Sequence, residues 1–212
     1  MHPSRMHPGE ATSPTLLSRV KDPADHAAWA AFETRYRGLL LRFSLRQGLQ
    51  HADGEDVVQA VLTRMVKALP RFVYDPRRGR FRDYLYRCAR NAIATWKTGA
   101  GRPLGGAAAV DSVGGAPGED GCGPPDAAAE QAWEEEWVAH HFRLAMETVQ
   151  ETFEPQSVEV FQRSMRGEPL ASVARALGIS EEAAKKARQR IKARLEAVIA
   201  RQIAEEDDAG GP

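Results

Sequence analysis

The sequence predicts an all-α protein of two small helical domains joined by a flexible linker. Three observations carry that expectation. Apolar residues recur at helical spacing through most of the chain, and no segment alternates convincingly as a strand would. From position 99 to 125 that pattern stops: 9 Gly and 4 Pro stand among 27 residues, and no period survives. Charge is also laid out in blocks. Residues 1–100 carry net +8, residues 101–160 net −10 and residues 161–212 net +2. The formal total of zero is therefore a cancellation, and it does not argue against a nucleic-acid partner.

Composition sets outer bounds. With 212 residues, 42% of them hydrophobic, and a mean hydropathy of −0.47, the chain has material for real cores. No run approaches the roughly 20 apolar residues of a membrane helix. The opening MHPSRMHPGEATSP has no apolar stretch of a secretory signal, so a cytoplasmic protein without membrane insertion is expected. Cys88 and Cys122 are the only cysteines, which excludes a disulfide framework and a four-cysteine zinc site. No metal or cofactor is expected. The expected divisions are a disordered 1–11, a domain over 12–98, a Gly/Ala/Pro-rich acidic linker over 99–126, a domain over 127–203 and an acidic disordered tail over 204–212.

In the first domain a short helix is expected over 14–20, with Ser13 as N-cap. Residues 26–45 place Trp29, Phe32, Tyr36, Leu39, Leu40 and Phe43 at helical spacing, and Gly48 is a stop. Residues 54–69 follow, with Asp53 as N-cap and a broad stripe of Val57, Val58, Val61, Leu62, Met65, Val66 and Leu69. Pro70 ends that helix. Residues 72–80 (FVYDPRRGR) make a turn-rich loop. Residues 81–97 are helical again, with Phe81, Leu85, Ala89, Ala92, Ile93 and Trp96 on one face.

The second domain opens with an acidic helix over 127–151, in which Trp133 and Trp137 are expected in a core and Glu134–Glu136 on a solvated face. A short helix over 155–165 comes next. Residues 168–196 then read EPLASVARALGISEEAAKKARQRIKARLE. Leu170, Val173, Ala174 and Leu177 face inward from a first helix, and Gly178 makes the corner. Ser180 caps a second helix that turns Ala184, Ile191 and Leu195 inward. Small Ala174, glycine Gly178 and apolar Ala184 have helix-turn-helix spacing. The outward face of the second helix carries Lys185, Lys186, Arg188, Arg190, Lys192 and Arg194, which suits phosphate neutralisation.

Residues 53–69 (DGEDVVQAVLTRMVKAL), followed by FRDYLYRCARNAIATW, resemble region 2 of bacterial sigma factors. That segment, a linker and a C-terminal helix-turn-helix, in this order and without room for further sigma domains, resemble the extracytoplasmic-function (ECF) group of the sigma-70 family. The resemblance implies a region 2 helical bundle over 12–98 and a region 4 helix-turn-helix over 127–203. It implies a factor that binds core RNA polymerase, recognises and melts the minus-10 element, and reads the minus-35 element. Asp56, Gln59 and Arg64 would dock on the clamp helices of the largest polymerase subunit, and the second domain on the flap of the second-largest. Promoter DNA is the other implied partner, and an anti-sigma factor a further one. Minus-10 contacts fall to Arg71, Phe72, Tyr74, Arg77, Arg78 and Arg80 in the loop, where an unpaired base is stacked and its backbone neutralised. On the following helix they fall to Arg82, Arg87, Arg90, Asn91 and Lys97. Minus-35 contacts fall to Ser180, Glu182, Ala183, Lys185, Lys186, Gln189 and Arg190. Ala60, Thr95, Trp96-Lys97-Thr98 and Ala187 depart from the family pattern.

Two other function classes compete. A DNA recombinase or nuclease would also carry a helix-turn-helix, but His140-His141-Phe142-Arg143 lies inside an apolar-patterned helix with no convergent carboxylates, so no enzyme is expected. The nearer alternative is a helix-turn-helix transcriptional regulator that binds duplex without replacing the polymerase specificity subunit.

Overall fold

The computed structural model describes residues 15–71, 80–99 and 126–207. The expected all-α class is observed: eight α-helices and no strand occur among the described residues. They are α1 (Leu16–Arg19), α2 (His26–Arg46), α3 (His51–Ala68), α4 (Phe81–Lys97), α5 (Ala127–Thr152), α6 (Pro155–Met165), α7 (Leu170–Ala176) and α8 (Glu181–Asp207). No described helix is long and apolar enough to cross a membrane.

Helix starts follow local chemistry. Thr15, not Ser13, caps α1, accepting from the Ser18 N–H at 3.2 Å. Asp25 caps α2 by accepting from the Ala28 N–H at 2.9 Å, and Arg19 pairs with the same carboxylate at 3.0 Å. The Ala28 N–H, followed by Arg19, holds the Asp25 carboxyl below the usual carboxylate range. Helix α3 begins three residues before the expected 54, and Asp53 lies in its first turn rather than at its cap. Extended Gln50 starts it, its carbonyl accepting from the Gly54 N–H at 2.8 Å, with no side-chain cap. Gly54 is buried where α3 crosses α2, and a Cβ there would come within 3.0 Å of Leu41 Cδ1. A 3₁₀ turn over Leu69–Arg71 ends the helix at Pro70.

The first core is built by α1 to α4 around Phe32, Tyr36, Leu39, Phe43, Val58, Met65, Phe81 and Leu85. Trp133 and Trp137 of α5 belong to this same core, at 2% and 5% exposure. Trp133 packs edge-on to Phe43, ring centres 5.0 Å apart, and Trp137 stacks on Tyr36 at 6.5 Å. Further along, α5 turns Ala145 and Val149 into a second core with Val158, Phe161, Ile191, Leu195 and Val198. One unbroken helix thus serves both cores.

Two expectations need correction here. Glu136 leaves the expected solvated face, at 12% side-chain exposure, to pair with Arg42 at 3.4 Å and Arg143 at 3.3 Å, whereas Glu134 and Glu135 stay exposed while reaching Arg82 and Arg46. Sequence spacing shows which side of α5 is polar, not that arginines of α2 and α4 stand opposite it. The acidic tail also starts later than position 204, because α8 continues to Asp207 and Glu206 is buried. Ile199 and Gln202 keep the helical phase going past the expected end, and Tyr36, Arg35 and His141 surround the carboxylate of Glu206.

Candidate nucleic-acid interface

Helix α4 is amphipathic. Its inner face is Phe81, Tyr84, Leu85, Cys88, Ala89 and Ile93. The backbone N–H of Arg80 donates to Asp83 at 2.9 Å and closes the first turn. Arg87, Arg90 and Asn91, spaced i, i+3 and i+4, are half-buried on the outer side, and exposed Lys97 lies seven residues beyond Arg90. The Arg90 guanidinium sits 5.8 Å from the Tyr86 ring centre. Arg82 points elsewhere, toward Glu134 of α5 and 5.9 Å from the Trp137 ring centre. Arg80 is exposed at the cap. Arg71 lies in the 3₁₀ turn, with its side chain outside the described residues, as are Phe72, Tyr74, Arg77 and Arg78 entirely. Burial pushes the Tyr84 hydroxyl and the Cys88 thiol upward, so both are neutral packing groups at neutral pH.

On α3, Asp56 and Gln59 are exposed beside Ala60 and Val66. Arg64 is half-buried and faces α4, close enough to Tyr84 and Cys88 to affect their ionisation. It does not share the outward stripe of Asp56 and Gln59.

The second unit has helix-turn-helix geometry. A small core of Val160, Val173, Ala174 and Ala184 clamps α7 against α8. Ala174 and Ala184 are 2% and 0% exposed, which is where side-chain size limits the approach of two helices. Gly178 has φ +66°, the left-handed conformation that lets the chain reverse. Nothing lies within 4 Å of where its Cβ would be, so conformation rather than space requires glycine. Ser180 Oγ accepts from the Ala183 N–H at 3.1 Å, which commits it to capping α8.

Glu182, Ala183, Lys185, Lys186, Gln189 and Arg190 are all exposed on α8, so the sequence-predicted reading face is open to a ligand. Lys185 pairs with Glu181 at 3.2 Å, and Arg190 lies 5.4 Å from the Phe153 ring centre. Sequence spacing missed Gln156. Its side chain donates to the Leu177 carbonyl at 3.0 Å and ties α6 to the turn. With Ser157, it flanks a cleft of about 300 Å³ whose other wall is Ala183, Lys186 and Arg190. A glutamine 21 residues from its partner leaves no sequence signal.

This arrangement offers two cationic surfaces, one on α4 and one on α8. Among the described residues, no group of three or more His, Cys, Asp or Glu could hold a metal ion.

Residues 33–102 match the family model of sigma-70 region 2. That stretch runs from early α2 through α4, the helices that carry Asp56, Gln59 and the α4 cations. No curated protein matches the chain. A solved structure, that of CnrH in complex with the cytosolic domain of CnrY, is similar at 20% identity. It covers 87% of this chain and 95% of that one, with a TM-score of 0.33.

Proposed function

We propose that the chain is a sigma factor of the ECF type, which binds core RNA polymerase and directs promoter-specific initiation without catalysing a reaction itself. The observation that carries this is the region 2 match over 33–102, followed in the same chain by a helix-turn-helix with an exposed basic face. Exposed Asp56 and Gln59 dock on the clamp helices, and the second unit on the flap. Arg87, Arg90, Asn91 and Lys97 follow the opened minus-10 strand, where charge and stacking act together. Lys186, Gln189 and Arg190 enter the minus-35 major groove, with Lys186 and Arg190 also neutralising phosphate. The protein works in the cytoplasm, and an anti-sigma factor is its fitting regulator.

Run-off transcription with bacterial core polymerase on genomic DNA tests this. The expected result is promoter-dependent transcripts that require both core and this chain. Duplex binding by the isolated chain, with no core binding and no transcript, would instead identify a conventional regulator.

A further inference from the structure

The cations of α8 are not held alike. Lys185 lies 3.2 Å from Glu181, and Lys192 lies 3.7 Å from Glu196, each pair one turn apart on the same helix. Both lysines share their charge with an acid of this chain. Arg190 is exposed and makes no hydrogen bond or ion pair with a described residue. Its contact is with a neutral ring: its Cζ stands over Phe153, 5.4 Å from the ring centre. A guanidinium within about 6 Å of an aromatic centre is attracted by the π face. Among the described residues, no other cation of α8 rests on an aromatic ring.

The backbone fixes that ring. Phe153 follows the last residue of α5 in an extended conformation, φ −110° and ψ 148°, and its N–H still donates to the Val149 carbonyl at 2.9 Å. Glu154 precedes Pro155, the first residue of α6, and a proline confines the residue before it to extended conformations. Two residues therefore join α5 to α6, and neither leaves the ring room to wander. The half-buried ring packs on the second core, where α5, α6 and α8 meet. Filling that position needs only an apolar side chain, which leucine would also supply. Offering a face to a cation needs an aromatic one. Arg190 also borders the cleft of about 300 Å³ together with Lys186, across from Gln156 and Ser157. Lys186 is four residues earlier, on the same face of α8, so the ring holds Arg190 beside a second cation.

We propose that Phe153 is a positioning residue for duplex DNA: it holds the Arg190 guanidinium ready for a backbone phosphate of the minus-35 element without neutralising it. The proposal rests on the assignment of α8 to the minus-35 duplex above. Arginine meets phosphate through a planar fork of N–H donors, often two at once. A side chain that is unrestrained beforehand loses rotamer freedom when the phosphate fixes it, and that loss is subtracted from affinity. A side chain already resting on a rigid ring loses less. An acid could restrain the arginine as well, as Glu181 restrains Lys185, but it would repel the phosphate and occupy the donors. Phenylalanine restrains Arg190 and leaves its charge and its N–H groups uncommitted.

The test is a double-mutant cycle in the full-length chain, with Phe153→Leu, Arg190→Ala, the two combined, and Phe153→Tyr. Phosphate contacts do not depend on sequence, so the probe is a random-sequence duplex of about 30 base pairs, titrated at salt concentrations from about 50 to 200 mM. Phe153→Leu is expected to weaken binding about two- to fivefold, the worth of an exposed cation–π contact. Phe153→Tyr, which keeps the π face, should restore the wild-type affinity. Arg190→Ala should weaken binding and lower the salt slope by about one. In the Arg190→Ala background, Phe153→Leu should cost nothing further. Circular dichroism checks the helix content of each protein, and if Phe153→Leu loses helix, Phe153→Met takes its place in the cycle. An equal loss from Phe153→Leu with and without Arg190 would make Phe153 a packing residue only and overturn the proposal. So would wild-type affinity in Phe153→Leu beside a weakened Arg190→Ala, which leaves the minus-35 assignment standing. Arg190→Ala without effect on affinity or slope would remove the proposal and the reading role of Arg190 together. Run-off transcription with core polymerase separates the remaining case: a coupled cycle with no transcript from the wild type keeps the Phe153–Arg190 contact to duplex phosphate and removes the sigma-factor assignment.

Discussion

Tyr36 donates its hydroxyl proton to Glu206 Oε1 at 2.7 Å, joining α2 to the end of α8 across 170 residues of sequence. Both side chains are buried, so the bond is shielded from water. Burial, and then Glu206, push the tyrosine hydroxyl well above its ordinary range, which keeps it a donor at every physiological pH. Hydrogen bonds to a charged group are worth about 1.5–3 kcal/mol. Tyr36→Phe is expected to lower unfolding stability by that amount. In a Glu206→Ala background the same change should cost much less. Urea denaturation of the four proteins measures the coupling, and strict additivity would disprove it.

His140 gives the fold a pH dependence. Burial, then His141 and the guanidinium groups of Arg35, Arg42 and Arg143, pull its pKa from 6.5 down to about 3. It packs against Tyr36, Trp137 and His141, and its Nε2 has no hydrogen-bond partner among the described residues. Between pH 6.5 and about 3 the unfolded chain therefore binds a proton that the folded chain refuses. Stability is full above pH 6.5 and falls as the pH drops through that window, by at most about 1.4 kcal/mol per pH unit. His140→Gln should flatten the change in urea midpoint between about pH 7 and pH 5, above the range in which the lowered carboxyls of Asp25, Glu135 and Glu168 titrate. An unchanged slope would assign the pH dependence to another group.

Gly178→Ala places a side chain at φ +66° and should cost about 1–2 kcal/mol through backbone strain alone, since the space is open. The loss is expected in thermal unfolding of the second core and in minus-35 binding together. Wild-type stability in the variant would mean that the turn relaxes to another geometry.

The two surfaces should separate by mutation. Lys186→Ala should weaken minus-35 duplex binding and reduce its salt slope by about one, with core affinity unchanged. Gln189→Ala should relax sequence preference with little change in that slope. Asp56→Ala should lower core affinity and leave duplex binding intact. Equal loss of both activities in any of these variants would refute the division.

Local rules made much of the fold legible. Helices α4 and α6 begin and end where capping and proline place them, and the Ala174–Gly178–Ala184 turn has the spacing that its geometry requires. Trp133 and Trp137 were recognisable as core from their i, i+4 spacing. What spacing cannot carry is the identity of the opposing surface. Arg42 and Arg46 look like ordinary helix cations until α5 is laid across them, and Glu206 looks like tail until Tyr36 is seen beneath it. The start of α3 leaves no capping signal in the sequence, because Gln50 supplies backbone geometry without a side-chain cap. Resemblance groups Arg64 with Asp56 and Gln59, whereas its place on α3 sets it beside Tyr84 of α4.

The unbroken passage of α5 from one core to the other makes residue count a mechanical setting. Trp137 is anchored in the first core and Ala145 in the second, and the stretch between them is continuous helix. Its length in residues fixes the compass bearing at which the helix-turn-helix is carried. One inserted residue would swing that head by about 100° and advance it by about 1.5 Å, whereas seven would return it nearly to its original bearing one rod-length further out. The stretch between these two anchors is a gauge block, and its tolerance is smaller than a single amino acid.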